Sequence, residues 1–289
     1  MIRGTTQLIG VIGDPIRHSL SPVMHNSAFA HLEMDCCCVP FHVTGEDAVE
    51  WAVKGIKALN LVGINVTSPH KEAVMPYLDQ ISDHARIIGA VNTIRREGEA
   101  LVGYNTDADG FIKSVTEHCG SLKGAHVTLL GAGGAARGIL HSLAKEGLGR
   151  LVLANRTVHK VEDLAQELMD YYPDLSGKVQ CAPLQVEPLK EPFKASDLVI
   201  NTLPRDPQDE SGNWLVPIDE LQVEALAIDL RYHPKETAFL SRCREEGLNT
   251  QNGLGMLLYQ GVLAFELFFK RQPPVDIMRR ALEAHVYSE

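Results

Sequence analysis

Residues 126–137 read His-Val-Thr-Leu-Leu-Gly-Ala-Gly-Gly-Ala-Ala-Arg: a strand-length apolar run, a glycine turn, then a helix-forming segment. No other stretch restricts the fold as much, because a buried strand passing through glycines into a helix belongs to a βαβ unit with a parallel sheet. Gly131 permits the tight turn, Gly133 lets backbone N–H groups approach a pyrophosphate, and Ala136 fills the close-packed third position. The helix N-terminus then faces the phosphates. Tight strand–helix packing alone also uses such a turn, but with both flanking elements in place the spacing predicts a nucleotide site.

The rest of the chain repeats this grammar. In the first third, residues 7–12, 36–42 and 61–66 read as strands, with helices over 23–32 and 46–59 between them. Residues 90–95 and 100–103 flank Arg96-Glu97-Gly98-Glu99 as a hairpin, and a helix is expected over 109–118, ended by Gly120. Strands follow at 126–130, 151–155, 179–182, 198–201, 225–229 and 248–252, with helices such as 158–169 between them. Residues 254–270 and 275–286 are helical by period, with no strand after them. The class is α/β, with a domain boundary near residues 104–123.

The second strand of the glycine unit bears on which nucleotide is bound. An NAD site usually ends that strand with Asp or Glu for the ribose 2′-hydroxyl. This chain has Asn155-Arg156-Thr157, where Arg156 offers a partner for a 2′-phosphate and a plane to stack on adenine. An exposed Arg before a helix capped by Thr157 is the plainer reading, but together with the glycine turn the tip favours NADP.

A second polar cluster lies in the first domain. Ser21-Pro22 reads as a helix start, Ser at the cap and Pro at the first position. Capping alone would explain Ser21, but Ser19 adds a second hydroxyl and makes a carboxylate cradle. Gly63-Ile-Asn65-Val-Thr67-Ser-Pro69-His70-Lys71 ends a strand in polar groups and places Lys71 at the opening of a helix. The helix dipole disfavours a cation there and favours the neutral amine that proton transfer needs, against the reading of a solvated surface lysine. Asn92-Thr93 and Asn105-Thr106-Asp107 bring further amides and a carboxylate to strand ends, although Asp107 also reads as a helix cap.

Composition narrows the partners. The 27 basic and 37 acidic residues give a net charge of −10, which disfavours nucleic acid and anionic membranes but not a small anion held by local donors. At 289 residues the chain can build its core without disulfides or a structural metal. The six cysteines form no C-x-x-C pair and have no histidine at zinc spacing, so no metal is expected. Cys36, Cys37 and Cys38 read as small apolar strand residues. The apolar run 8–13 stops at Asp14-Pro15, and 262–269 contains Glu266, so neither a signal peptide nor a membrane span is expected. The expected setting is the cytoplasm, with reduced thiols.

Taken in order, these segments resemble the shikimate dehydrogenases, NADP-dependent enzymes of aromatic amino-acid biosynthesis. The resemblance rests on the Ser19/Ser21 segment, Asn65-Val-Thr-x-Pro-x-Lys71, Gly89-Ala-Val-Asn92-Thr, Asn105-Thr-Asp107 and the glycine turn through Arg137. It continues with Asn155-Arg-Thr157, Asn201-Thr202, Asp229-Leu-Arg-Tyr232-x-Pro234, Asn252-Gly253-x-Gly255-Met256-Leu257 and Gln260.

It implies a substrate domain over 1–106 joined by the terminal helices 254–289, and a Rossmann-like NADP domain over 107–253. By the same resemblance Ser19 and Ser21 hold the substrate carboxylate, and Asn65, Asn92, Asp107 and Gln260 bind ring hydroxyls. Thr67 and Tyr232 line the pocket, and Lys71 and Asp107 form the catalytic pair. Gly131, Ala132, Gly133, Gly134, Ala135, Asn155, Arg156, Thr157 and Thr202 hold NADP, with Gly253 and Met256 near the nicotinamide. The implied reaction is reversible reduction of 3-dehydroshikimate to shikimate, with Lys71 as general acid and base. A homodimer is left open.

Three rivals stand beside it. One is a quinate/shikimate dehydrogenase with relaxed cofactor use, opposed by the Asn155-Arg156-Thr157 tip. The second is glutamyl-tRNA reductase, opposed by the net charge and the lack of a thiol motif. The third is a non-catalytic NADP- or shikimate-binding regulator, opposed by the presence of both Lys71 and Asp107.

Overall fold

Short apolar runs separated by helix-length segments require crossover connections between parallel strands, and that pattern governs the start of the chain. The computed structural model describes residues 2–287. Its first elements are β1 (Gln7–Gly13), α1 (Ser21–His31), β2 (Cys36–His42), α2 (Glu46–Ala58) and β3 (Gly63–Val66). Then come β4 (Gln80–Ile81), α3 (Asp83–Ile88), β5 (Thr93–Glu97), β6 (Ala100–Tyr104) and α4 (Asp107–Cys119). The six strands form one sheet in the order β2-β1-β3-β5-β6-β4. β1 runs parallel to β2 and β3, whereas β5 is antiparallel to both β3 and β6. The expected hairpin is present, and Gly98 at φ +62° makes its turn.

The second half continues with β7 (His126–Leu130), α5 (Gly134–Ala144), β8 (Arg150–Asn155), α6 (Val158–Tyr171), β9 (Val179–Pro183) and α7 (Val186–Ala195). It ends with β10 (Leu198–Asn201), β11 (Leu226–Asp229), α8 (Ala238–Glu245), β12 (Asn249–Asn252), α9 (Leu254–Phe269) and α10 (Val275–Val286). These strands form a wholly parallel sheet in the order β12-β11-β10-β7-β8-β9. The chain leaves β7 toward β8 on one side and later returns to its other side with β10. Crevices for ligands open at the carboxyl ends of strands where the order reverses in this way.

Alternate residues of this sheet feed two cores, as a period of two demands. Val127, Leu129, Leu151, Leu153, Leu198 and Ile200 pack with Ile139, Leu143, Leu164 and Leu168 of α5 and α6. Leu130, Val152, Ala154 and Val199 face the opposite way, with Phe193 of α7 and Phe239 of α8. In the first sheet, Ile12, Ile64, Val66 and Ile94 bury against Val49, Val53 and Ile56 of α2. Phe29 of α1 lies 5.7 Å from Phe265 of α9, centroid to centroid.

The chain divides into two compact units, residues 1–110 with 257–289 and residues 111–256. The terminal helices therefore return to the first unit. The division falls a few residues inside α4 and α9, where the sequence placed it at the helix starts. Among the described residues no helix is long and apolar enough to cross a membrane. The cysteine run opens the edge strand β2, with Cys38 buried and Cys36 and Cys37 half-buried. Burial pushes the Cys38 thiol up to about 12, so it is an inert core residue.

Candidate active site

In the first unit, the carboxyl ends of β1, β3 and β6 and the amino end of β5 meet at one end of the sheet. The register fixes this, pairing Val11 with Asn65, Asn65 with Thr93, and Thr93 with Tyr104. Polar residues after these ends converge on one network. Asn65 Nδ2 donates to Thr93 Oγ1 at 3.1 Å. Asn92 Oδ1 accepts the Thr106 N–H at 2.8 Å, and Asn92 Nδ2 donates to Thr106 Oγ1 at 2.9 Å. One Nδ2 hydrogen of Asn92 is left for a ligand, although the residue is only 2% exposed.

Beside this network Lys71 Nζ donates to Asp107 Oδ2 at 2.7 Å. The two side chains are 35% and 22% exposed, so the pair is reachable from solvent yet partly screened from it. Asp107 opens α4, two helical residues earlier than expected, with its N–H held by Asn105 Oδ1 at 3.1 Å. Lys71 does not start a helix as the sequence suggested. It lies in a turn over residues 68–74 that is held by the buried His70, whose ring meets Val43 O at 2.8 Å. The helix-dipole argument for Lys71 therefore lapses, and Asp107 is the group that positions it.

Ser21 is likewise not the cap of α1. It is the first helical residue after Leu20, and no side chain caps the helix. Ser19 Oγ accepts the Ser21 N–H at 3.4 Å, a long bond, and the Ser21 hydroxyl has no protein partner among the described residues. Two hydroxyls and an uncapped N-terminus make the carboxylate cradle chemically sound. Thr67 follows β3 at the same end of the sheet. Gln260 packs against α4 one turn beyond Asp107, so closely that a Cβ on Gly110 would come within 2.5 Å of its backbone nitrogen. Tyr232 belongs to the second unit, where burial raises its phenol above the usual range.

In the second unit the glycine turn sits at the carboxyl end of β7, at the reversal of strand order. Gly131 has φ +117°, and a Cβ there would strike Thr202 Oγ1. Thr202, through its bond to Leu130 O at 2.7 Å, thus forms the floor of the turn. At Gly133 and Gly134 an added Cβ would meet nothing, Ala135 is exposed, Ala132 half-buried, and no side chain caps α5. Such an open, uncapped N-terminus suits a pyrophosphate. Ala136 is fully buried as expected, and Arg137 is taken by Glu167 at 2.6 Å.

At the tip of β8, Asn155 Nδ2 donates to Thr157 O at 3.1 Å, and the Thr157 side chain makes no capping bond. Arg156 is exposed and has no ion pair or hydrogen bond among the described residues. It lines a cavity of about 300 Å³ with Gln185, Arg205, Asp209 and Glu210. The residues present therefore fit a 2′-phosphorylated dinucleotide. Arg205 and the two carboxylates have no local signature in the sequence, because the loop after β10 reaches the tip of β8 only through the fold. Asp209 is held below the usual carboxylate range, chiefly by Asn213, and serves its own loop.

Gly253 closes β12 where a Cβ would strike Leu230 O, and Met256 packs half-buried on the core of the second unit. Among the described residues no cluster of His, Cys, Asp and Glu is suited to a metal ion.

Family models match in chain order. Residues 11–94 match the shikimate dehydrogenase substrate binding domain, 113–203 the shikimate/quinate 5-dehydrogenase model, and 253–283 the shikimate 5′-dehydrogenase C-terminal domain. The NADP(+)-dependent shikimate dehydrogenase of Desulforamulus reducens is 42% identical over 99% of this chain and 97% of its own. The chain belongs to the shikimate dehydrogenase family. Among solved members, a shikimate dehydrogenase in complex with NADP+ is 37% identical, with a TM-score of 0.88 over 99% of this chain and 98% of its own. The Thermus thermophilus shikimate dehydrogenase, solved with NADP(H) and shikimate, is 33% identical, with a TM-score of 0.80 over 96% of this chain and 98% of its own.

Proposed function

We propose that this member of the family catalyses the reversible NADPH-dependent reduction of 3-dehydroshikimate to shikimate. The observation that carries the reading is the Lys71–Asp107 pair at 2.7 Å, set beside the Asn65–Thr93 and Asn92–Thr106 hydrogen bonds at one end of the sheet. When bound, NADPH supplies a hydride to the ring carbonyl carbon. The protein's own task is then to hold the ring and move one proton. Lys71, as ammonium, gives a proton to the carbonyl oxygen as it becomes an alkoxide, and regains one from solvent through its partly exposed amine. In the reverse direction the neutral amine takes the hydroxyl proton. Asp107 accepts one ammonium hydrogen and so aims the others at the substrate oxygen.

Ser19 and Ser21 with the N-terminus of α1 hold the substrate carboxylate. Asn65, Asn92, Asp107 and Gln260 bind ring hydroxyls, and Thr67 and Tyr232 shape the pocket. On the cofactor side, the loop Gly131–Ala135 faces the pyrophosphate and Arg156 the 2′-phosphate, with Asn155, Thr157 and Thr202 holding the loop ends. Gly253 and Met256 stand on the nicotinamide side. On this reading residues 1–106 with 254–289 are the substrate domain and 107–253 the NADP domain. The enzyme acts in the cytoplasm on a small molecule, not on nucleic acid or membrane.

Initial rates with shikimate and quinate, each against NADP+ and NAD+, test the reading. Turnover confined to shikimate with NADP+ is expected. Comparable rates with quinate or NAD+ would move the enzyme to the dual-specificity branch, and tight NADP binding without turnover would overturn catalysis.

A further inference from the structure

Arg205 stands in the loop that leaves β10, and the backbone on both sides of it is tied down. Before it, the Leu203 N–H donates to Asn201 Oδ1 at 3.2 Å. After it, Asp206 Oδ1 accepts from Arg231 at 2.7 Å and from the Phe239 N–H at 2.9 Å. The chain then doubles back, with the Leu215 N–H donating to Pro207 O at 2.8 Å and Gln208 paired to Trp214. On this fixed loop the Arg205 side chain is exposed and has no hydrogen bond or ion pair among the described residues. The fold thus holds the residue in place and leaves all its N–H donors for a ligand.

Arg205 lines the same cavity of about 300 Å³ as Arg156, which follows β8. The tip of that second strand is where a dinucleotide fold reads the 2′ position of the adenosine ribose. Pro183, Leu184 and Leu215 give the cavity an apolar side that suits the face of a base. Its charged side chains are Arg156, Arg205, Asp209 and Glu210, whose charges cancel. Asp209 accepts the Ser211 and Asn213 N–H groups at 2.8 and 2.9 Å, but it keeps its charge. Arg156 alone would leave the cavity with a net negative charge, against a phosphate that itself carries about −1.5 to −2 at neutral pH. Arg205 brings the balance back to neutral and adds a second planar fork of donors.

We infer that Arg205 is a specificity-determining residue for the cofactor, a second guanidinium that binds the 2′-phosphate together with Arg156 and offsets the carboxylates around it. The inference rests on the NADP site proposed above and adds to it a residue that the strand-tip signature Asn155-Arg156-Thr157 does not contain. Discrimination against NAD is then shared between two loops, one after β8 and one after β10. Both arginines lie in the second unit, so the role belongs to the cofactor side alone.

The test titrates 2′,5′-ADP and 5′-AMP calorimetrically into the full chain and its variants R205A, R205Q, R205K and R156A/R205A. The wild type is measured first and should bind 2′,5′-ADP more tightly than 5′-AMP. Equal affinity would overturn the NADP site itself, and the inference with it. Given that preference, the variants decide the role of Arg205 separately. In R205A the Kd for 2′,5′-ADP should rise about tenfold, the lower end for a hydrogen bond to a charged group, while the Kd for 5′-AMP stays put. R205K, which keeps the charge, should retain much of the preference, and R205Q, which keeps only an amide, should lose as much as R205A. The double variant should bind 2′,5′-ADP no better than 5′-AMP. An unchanged Kd for 2′,5′-ADP in R205A overturns the inference. So does an equal loss for both ligands, the mark of a stacking or structural role. Should R205A fail to fold, R205Q against R205K carries the same test.

Discussion

Replacing Lys71 with alanine separates chemistry from folding, and the structure sets both magnitudes. The Lys71–Asp107 pair is 2.7 Å long with side chains 35% and 22% exposed. A partly solvated pair of this kind contributes about 1 kcal/mol or less to stability, a few degrees at most in Tm. The proton delivered in the transition state is worth far more: general acid–base catalysis contributes about 10²–10⁴ in rate, or roughly 3–5 kcal/mol. Lys71→Ala should therefore lower kcat by that factor with KM for shikimate nearly unchanged and Tm almost intact. Lys71→Arg keeps the charge and a partner for Asp107, but its guanidinium does not give up a proton, so oxidation of shikimate should stay slow. Steady-state kinetics in both directions, beside thermal unfolding, make the measurement. A large rise in KM at constant kcat, or near-normal oxidation by the arginine variant, would refute the assigned role.

Three further outcomes follow from other parts of the molecule. Arg156→Ala removes an exposed guanidinium with no protein partner, so stability should hold while KM for NADP+ rises about tenfold and KM for NAD+ does not; an equal loss for both cofactors would remove the 2′-phosphate assignment. Gly131→Ala puts a Cβ against Thr202 at φ +117° and should destabilise the protein by about 2 kcal/mol and weaken NADP+ binding, both read by thermal shift with and without cofactor. His25 titrates near 4 when folded against 6.5 in the open chain, so below pH 6.5 the unfolded state binds more protons and stability falls until about pH 4. Between pH 6.5 and 5 this costs the wild type about 2 kcal/mol that H25F should not lose in denaturant titrations; parallel curves would contradict the shift.

The elements most legible in the sequence were those whose local pattern and tertiary setting agree. The run 126–137 carries its strand, turn and helix in adjacent residues, and Gly131 adopts the conformation that only its type tolerates without strain. Lys71 and Asp107, the pair proposed to move the proton, were legible as two polar residues at strand ends, but their meeting across 36 positions depends on the pairing of β3, β5 and β6. Lys71 was misplaced at a helix start because a Pro two residues earlier reads as a first-turn signal. The chain instead spends residues 68–74 in a turn anchored by His70 to Val43, a contact with no local signature. Ser21 looked like a cap because Ser-Pro is a capping pair, yet the helix begins one residue sooner, at Ser21 itself. β4 escaped notice because two residues carry no periodicity, and α3 because six residues carry less than two turns. Arg205 joined Arg156 only once β10 was placed on the far side of β7 from β8.

The ends of the two sheets bear on how copies of this chain meet in a concentrated solution. An open sheet edge is a template on which another chain can add a strand and begin an aggregate. Here one edge of the first sheet carries Pro40, which has no N–H to offer, and the other is the two-residue β4. In the second sheet the edges are β9, which ends in Pro183, and β12, whose four residues Asn-Thr-Gln-Asn are all polar. Growth by backbone pairing is thus blunted at all four borders, and a second copy must find its place through side chains.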